Sequence, residues 1–302
     1  MGPFGSSNAA GGQRRGGGVR WWVILAFLGY MAFYWFSHQQ ESSFTGRKQL
    51  VDVSIQDEVQ LGLQAYQEVL QQSNVLTTGE LPKQVEEIAR RLIEVGPKVE
   101  EYMQQAHGVA PSVQWNAFEW AVSVLESDEV NAFCLPGGKI AVYTGIIPVA
   151  ENADALAVVM GHEISHALLR HGAERMAQQK LVQIGQMAAA VSLGDMDPRQ
   201  QQMVMAALGA GATYGIILPF SRDHESEADH IGLLLSAAAC FDPRESIGLW
   251  ERMGQASKNG APPEFMSSHP SHATRIEQLN ALMPEAMQLR EQMGCPALTT
   301  AG

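Results

Sequence analysis

From Trp21 to Phe36 the chain carries no charged side chain: WWVILAFLGYMAFYWF runs between Arg20 and Glu41 with only Ser37, His38 and two glutamines after it. About twenty helical residues span roughly 30 Å, the thickness of a bilayer's hydrocarbon core. Trp21, Trp22, Tyr34 and Trp35 stand near the two ends, where amphipathic rings prefer the interface. The pattern predicts one transmembrane anchor over residues 21–40, preceded by a Gly/Arg-rich stretch, 1–20, too poor in apolar residues to order itself. FSHQQESS follows instead of an A-x-A-like cleavage site, which favours an anchor over a removed signal peptide. Arg14, Arg15 and Arg20 favour a cytoplasmic N-terminus, with Arg47 and Lys48 as a counterweight. The body would then face the periplasm or an equivalent outer compartment, and the expected location is a bacterial-type inner membrane, single-pass, with the body in the periplasm.

Beyond residue 41 the apolar positions take up helical spacing. Leu61, Ala65 and Val69 predict a helix over 54–74, and Val85, Ile88, Leu92 and Val95 another over 81–106. Alternating Trp, Phe, Val and Leu over 113–125 predict a strand; VNAF and KIAVYTG, separated by LPGG, predict two more. A long helix follows over 152–192, then the polar break GDMDPRQQQ, then helices over 200–216 and 222–239, the latter capped by Ser221. FDPRES opens one more, and 271–293 forms the last. The uncharged stretches 181–193 and 203–220 read as core helices or as segments that dip toward the membrane, and being shorter than a full span they favour the core. The whole predicts an α+β domain over 41–302, mostly helical, with a small antiparallel sheet.

Composition narrows the function. With 46% hydrophobic and 17% charged residues the 302-residue chain can bury a sizeable core. Residues 1–40 hold three arginines and no acid, which leaves 17 bases against 32 acids beyond them. A body this acidic lacks the clustered Lys and Arg that phosphate contacts need, so nucleic acid is excluded as a general partner. Three cysteines without a C-x-x-C pair exclude a Cys-rich zinc module. Whether Cys240 and Cys295 pair depends on a separation the sequence does not give.

The chemical signal is His162-Glu163-Ile164-Ser165-His166 in the apolar run ALAVVMGHEISHALLRHG. Two imidazoles four residues apart on a helix share one face and can share a zinc ion. Glu163, turned about 100° from His162, is placed to take a proton from a water that zinc acidifies. Catalytic zinc takes three protein ligands. His171, nine residues after His162, faces away on a continuous helix and reads as a helix-end polar contact. In SRDHESEADHIG, Glu225 can supply the third ligand, and Asp229, one turn on, can accept a hydrogen bond from the other nitrogen of a ligand histidine. Glu227 points elsewhere. One zinc per chain is expected.

HEISH, NAFCLPGGKIAVYTG before it, SRDHESEAD after it and SSHPSHATR near the end occur in that order. Together they resemble the membrane-associated gluzincin metalloendopeptidases, most of all the mitochondrial overlapping-activity group and its bacterial periplasmic relatives. The resemblance covers about 50–293 and implies a zincin-like fold, zinc ligands His162, His166 and Glu225, and a catalytic Glu163. It implies further that His269 and Arg275 approach the metal cleft. A cationic pair there would stabilise an oxyanion, while His269 as a fourth zinc ligand would hold the enzyme latent. The strand before the zinc helix would bind substrate by strand addition at Asn131 and Ala132. The expected activity is zinc-dependent hydrolysis of unfolded or misassembled membrane or envelope proteins, a form of quality control. The rival is a non-catalytic, zinc-stabilised client-binding module.

Overall fold

The computed structural model describes residues 19–194, 197–212, 222–258, 264–269 and 274–298. The disordered stretch expected before residue 19, the cap at Ser221 and the end of the 200–216 helix lie outside them. The elements run α1 (Trp21–Ser37), β1 (Gln39–Glu41), β2 (Lys48–Leu50), α2 (Ile55–Gln72), β3 (Val75–Leu76), α3 (Glu80–His107), β4 (Ala121–Leu125), β5 (Ala132–Leu135), β6 (Lys139–Tyr143), α4 (Ile147–Ala150), α5 (Ala153–Leu168), α6 (His171–Ser192), α7 (Pro198–Ala212), α8 (Arg222–Ala238), α9 (Glu245–Lys258), α10 (Glu264–Ser268) and α11 (Arg275–Gln292). The expected α+β architecture is present.

Helix α5 is the centre of the molecule. Asn152 caps it, its side-chain oxygen accepting the Ala155 N–H at 2.8 Å. Fourteen of its sixteen residues are buried, so each polar side chain it carries must find a partner inside the protein. It lies between the sheet and α8, with α3 and α9 completing its surroundings. α8 is buried from Ile231 to Ala238. The two helices meet at glycines. A Cβ on Gly161 would lie 2.9 Å from the Gly232 carbonyl oxygen, and one on Gly232 would lie 2.7 Å from the His162 backbone nitrogen.

The four-stranded sheet has the order β3-β4-β6-β5. It is antiparallel except at its centre, where β4 and β6 run parallel. β5 and β6 form a hairpin through Gly137 and Gly138, both at positive φ. β6 inserts next to β4, leaving β5 at the edge beside α5. The strand expected over 113–125 forms only from Ala121. Glu100 explains the difference: its carboxylate accepts the backbone N–H groups of Ser112 and Val113, both at 3.1 Å, and the Trp115 indole N–H at 2.6 Å. Those amides are taken by a side chain, and residues 115–117 turn in a 3-10 helix.

The helix expected over 152–192 breaks at Arg170, which adopts left-handed φ of 54°. That conformation costs a non-glycine residue about 1–2 kcal/mol. Arg170 is held there by Glu58 Oε2, Gln40 Oε1 and the Val53 carbonyl. α6 therefore leaves in a new direction.

The N-terminal helix has seventeen residues, shorter than the predicted span, because residues 39–41 turn into β1 and pair with β2. Among the described residues no helix is long and apolar enough to cross a membrane. One face of α1 packs on α6, with Tyr34 against Ala177 and Leu181 and Phe27 against Gly185. The other face exposes Trp21, Trp22, Leu25, Phe33 and Phe36. Residues 181–193 are not the core helix expected: Met187 is 61% exposed and Val191 49%, since α1 covers only one side of α6.

Cys240 and Cys295 are bonded, with Cα atoms 5.2 Å apart, tying the end of α8 to the end of α11 across 55 residues. Closing a loop of that length should contribute about 2–4 kcal/mol. Cys240→Ser is expected to lower the unfolding free energy by that amount, read from the guanidinium midpoint, and a reductant should do the same to the wild type.

Candidate metal centre

His162 and His166 project from one face of α5, and Glu225 comes from the first turn of α8. The ring nitrogens Nε2 of the two histidines are 3.1 Å apart. Glu225 Oε2 lies 3.5 Å from His162 Nε2, and Oε1 lies 3.5 Å from His166 Nε2. A fourth group, His269, follows α10; its Nδ1 is 3.3 Å from His162 Nε2 and 3.0 Å from Glu225 Oε1. All four side chains are buried. Ligand atoms about 2.1 Å from a shared tetrahedral ion stand about 3.4 Å apart, so these spacings fit one small cation. Glu225 Oε2 is buried without a hydrogen bond of good geometry; Arg275 Nη1 lies 3.3 Å away, and the oxygen keeps a lone pair that a metal could take.

The charges around the site reinforce this. Burial works against ionising Glu225, yet hydrogen bonds with His162 and His269 hold its carboxyl far below the ordinary carboxylate range. Burial also opposes a proton on His162, but Asp229 and Glu225 raise its pKa to about 9. Burial and the neighbouring imidazoles push His166 well below the usual histidine value. Three imidazoles and a carboxylate sharing one pocket are better matched to a divalent ion than to protons.

Glu163 stands beside the cluster, its Oε1 3.5 Å from His269 Nε2. Burial raises its pKa, and the Cys134 backbone N–H on β5 hydrogen-bonds the carboxylate. Asp229 Oδ1 lies 3.0 Å from His162 Nδ1 and accepts from Arg275 Nη2 at 2.6 Å. Arg275 is fully buried, its guanidinium stacked 3.3 Å over the Trp250 ring, with Nη1 3.3 Å from Glu225 Oε2. It reaches the carboxylates of Asp229 and Glu225. Asn131 and Ala132 lie where β5 begins. The Asn131 carbonyl accepts the Tyr143 N–H at 3.1 Å, so by the antiparallel alternation the backbone groups of Val130, Ala132 and Cys134 face away from β6. The Val130 carbonyl already accepts the Phe265 N–H at 3.2 Å, which lays α10 across the start of this edge.

Sequence reasoning missed three parts of the site. The break at Arg170 turns His171 back under His166, where Nδ1 meets Nδ1 at 2.9 Å. A continuous helix would have pointed it away. Glu227 lies 3.0 Å from His171 Nε2, and Arg47, thought of as a flanking surface charge, grips both Glu227 and Glu174. Burial opposes charge on both carboxylates, but histidine and Arg47 hydrogen bonds bring each to about 2. Gly161 and Gly232 set how closely the ligand helices approach, and nothing in their local sequence marks them.

The pattern of peptidase family M48 matches residues 97–283. The chain is 33% identical over 278 residues to the mitochondrial metalloendopeptidase OMA1 of Schizosaccharomyces pombe, covering 91% of this chain and 75% of that protein. It is 32% identical over 290 residues to the human mitochondrial metalloendopeptidase OMA1, spanning 90% of this chain and 52% of the relative. To the beta-barrel assembly-enhancing protease of Escherichia coli it is 29% identical over 188 residues, 59% of this chain and 38% of that one. The chain thus spans three quarters of the fission-yeast relative and about half of the human one.

The glycine contact yields a test of the geometry. Gly232→Ala must push α8 off α5, costing about 1–3 kcal/mol as overpacking and separating Glu225 from the two histidines. It is expected to lower the melting temperature and to weaken metal binding at least tenfold by chelator competition. Gly254→Ala on α9, where a Cβ meets nothing within 4 Å, should change neither adversely.

Proposed function

The chain belongs to peptidase family M48 and is a metalloendopeptidase, and from that premise we propose that it hydrolyses protein substrates with one zinc ion per chain held by His162, His166 and Glu225. The observation that carries this reading is the buried set of donor atoms spaced 3.0–3.5 Å apart, with Glu163 beside it. Two imidazoles and a carboxylate are a donor set zinc favours when one position is left for reaction. When bound, zinc acidifies the attacking water and polarises the scissile carbonyl. Glu163 takes the proton from that water and hands it to the leaving amine. Burial raises its pKa, which makes the carboxylate a stronger base for the first transfer and the carboxyl stable enough to deliver the second. Asp229 orients His162, and Arg275 holds Asp229 and Glu225 in place. An extended substrate adds to the outward-facing backbone of β5 near Asn131 and Ala132, setting its scissile bond over the metal. A client-binding module without catalysis would have no use for Glu163 in this position.

In this reading His269 is a latent fourth ligand rather than an oxyanion donor. Its Nδ1 stands among the other donors, its ring stacks on Phe265 at 4.7 Å, and α10 covers the start of the substrate edge. Activation then requires residues 264–269 to lift. We further propose that α1 anchors the chain in an inner membrane, with the domain in the periplasm, where it removes misassembled envelope proteins. The exposed aromatic face of α1 supports a lipid contact, and the Cys240–Cys295 bond supports an oxidising compartment.

Casein hydrolysis and bound zinc, measured on the same preparations, test the assignment. His162→Ala, His166→Ala and Glu225→Ala should each lose most of the metal, while Glu163→Gln should retain it and lose proteolysis. Full zinc occupancy in Glu225→Ala would reject that ligand.

His269→Ala separates the two roles of that residue. As a fourth ligand, its loss raises basal proteolysis with zinc still bound; as an oxyanion donor, its loss lowers turnover by about 10²–10³-fold. An unchanged rate discards both.

A further inference from the structure

We propose that His171, backed by Glu227 and Arg47, is a positioning group for the metal: it fixes the tautomer and ring orientation of His166. This rests on the ligand assignment above and adds residues that assignment does not use.

The two ligand histidines are held differently. The Nδ1 of His162 faces a carboxylate, Asp229 Oδ1, at 3.0 Å. The Nδ1 of His166 faces another imidazole nitrogen, His171 Nδ1, at 2.9 Å. Two ring nitrogens at that distance need one donor and one acceptor. His166 can offer a lone pair at Nε2 to a metal only if its proton sits on Nδ1, so His166 donates and His171 accepts. The proton of neutral His171 is then on Nε2, which faces Glu227 Oε2 at 3.0 Å. Glu227 accepts as well from Arg47, at 2.7 Å from Nε and 2.8 Å from Nη2. Each donor in this chain, Arg47 to Glu227, His171 to Glu227 and His166 to His171, has an acceptor, and the last lone pair left over is the one at the metal.

The relay is rigid. Arg47 also grips Glu174, with Nη1 and Nη2 at 2.8 and 2.7 Å. Glu174 lies 2.9 Å from His224 Nε2, and the His224 ring stacks on His171 with centroids 4.4 Å apart and planes 22° from parallel. His171 is fully buried. Its ring is thus fixed by an ion pair behind it and an imidazole on its face. Arg47 belongs to the β1–β2 turn, which is pinned by buried Phe44 and by Ser43 donating to Glu100 at 2.5 Å. The segment that joins α1 to the domain therefore holds the far end of a chain of hydrogen bonds that ends on a metal ligand.

A merely structural role would show as lost stability without a specific effect on metal. The test is zinc affinity of the full chain in detergent, by chelator competition, with the melting temperature of the metal-free protein recorded for each variant. His171→Leu is expected to weaken zinc about 10–100-fold, the usual cost of losing the group behind a ligand. His171→Asn, whose Oδ1 falls near the position of Nδ1 and can accept the same proton, should recover most of that loss. Glu227→Gln should fall between wild type and His171→Leu. Zinc affinity in folded His171→Leu within twofold of wild type overturns the proposal, as does equal weakness in the Asn and Leu variants. If His171→Leu does not fold, an unchanged affinity in Glu227→Gln overturns it instead. His166→Ala in the same titration keeps the two readings apart: zinc retained there rejects the ligand set, whereas zinc lost there and unchanged in His171→Leu rejects only the relay.

Discussion

A Cβ on Gly232 would stand 2.7 Å from the backbone nitrogen of His162, so α5 and α8 cross main chain against main chain. The rest of the metal centre depends on that approach. His162 follows Gly161 directly, and Glu225 lies two helical turns before Gly232 on the same helix. Any side chain at the crossing would move a carboxylate and two imidazoles apart together. Ser236 reinforces the contact, its hydroxyl donating to the Gly232 carbonyl at 2.8 Å and reaching the Ala157 carbonyl at 3.2 Å. The crossing is therefore both an apolar packing contact and a ruler for the ligands.

Holding two helices together does not by itself aim the side chains they carry. A histidine ring can flip and can carry its proton on either nitrogen. The structure deals with the two rings by separate means, a carboxylate with an arginine behind it for His162, and a second histidine with a carboxylate and an arginine behind that for His166. Both systems end on a buried or half-buried guanidinium that has two acids to satisfy. Each guanidinium ties two carboxylates together, so none of the four can swing away without breaking its contact with the arginine. The electrostatic frame therefore carries part of the rigidity that catalysis needs.

A third region, α10 with His269, meets the cluster. α10 and His269 lie against the cluster, α10 joined to the residue before β5 by the bond from Phe265 to Val130 and to α9 by the Phe265 ring, tilted against Trp250 at 5.8 Å. This cover is small, five helical residues and one histidine, and it is seated by Phe265, which is fully buried against Trp250 and His269. The donor cluster is thus carried mainly by the two deeply buried helices α5 and α8, and the group that meets it from outside them follows one of the shortest.

The amino-acid sequence alone located most of the cluster that could hold a metal. His162, Glu163 and His166 were legible because a helix fixes the relation of residues four apart, and Glu225 with Asp229 because the same rule applies on the next ligand helix. The helix-rich body and the β-hairpin before α5 were legible for the same reason, since periodicity and turn glycines act over a few residues. What the tertiary structure decided lay at long range or at a break in regularity. Arg170 leaves the helical region only because Glu58, Gln40 and Val53 hold it there, and that one residue moves His171 from the far side of a helix to the back of His166. Arg47 meets Glu227 across 180 residues, and Gly161 meets Gly232 across the crossing. Ser112 and Val113 lose a strand to Glu100, and the apolar N-terminal run stops as a helix at Ser37 because β2 offers β1 a partner. In each case the deciding partner is distant in the chain, so its effect cannot be read from local pattern.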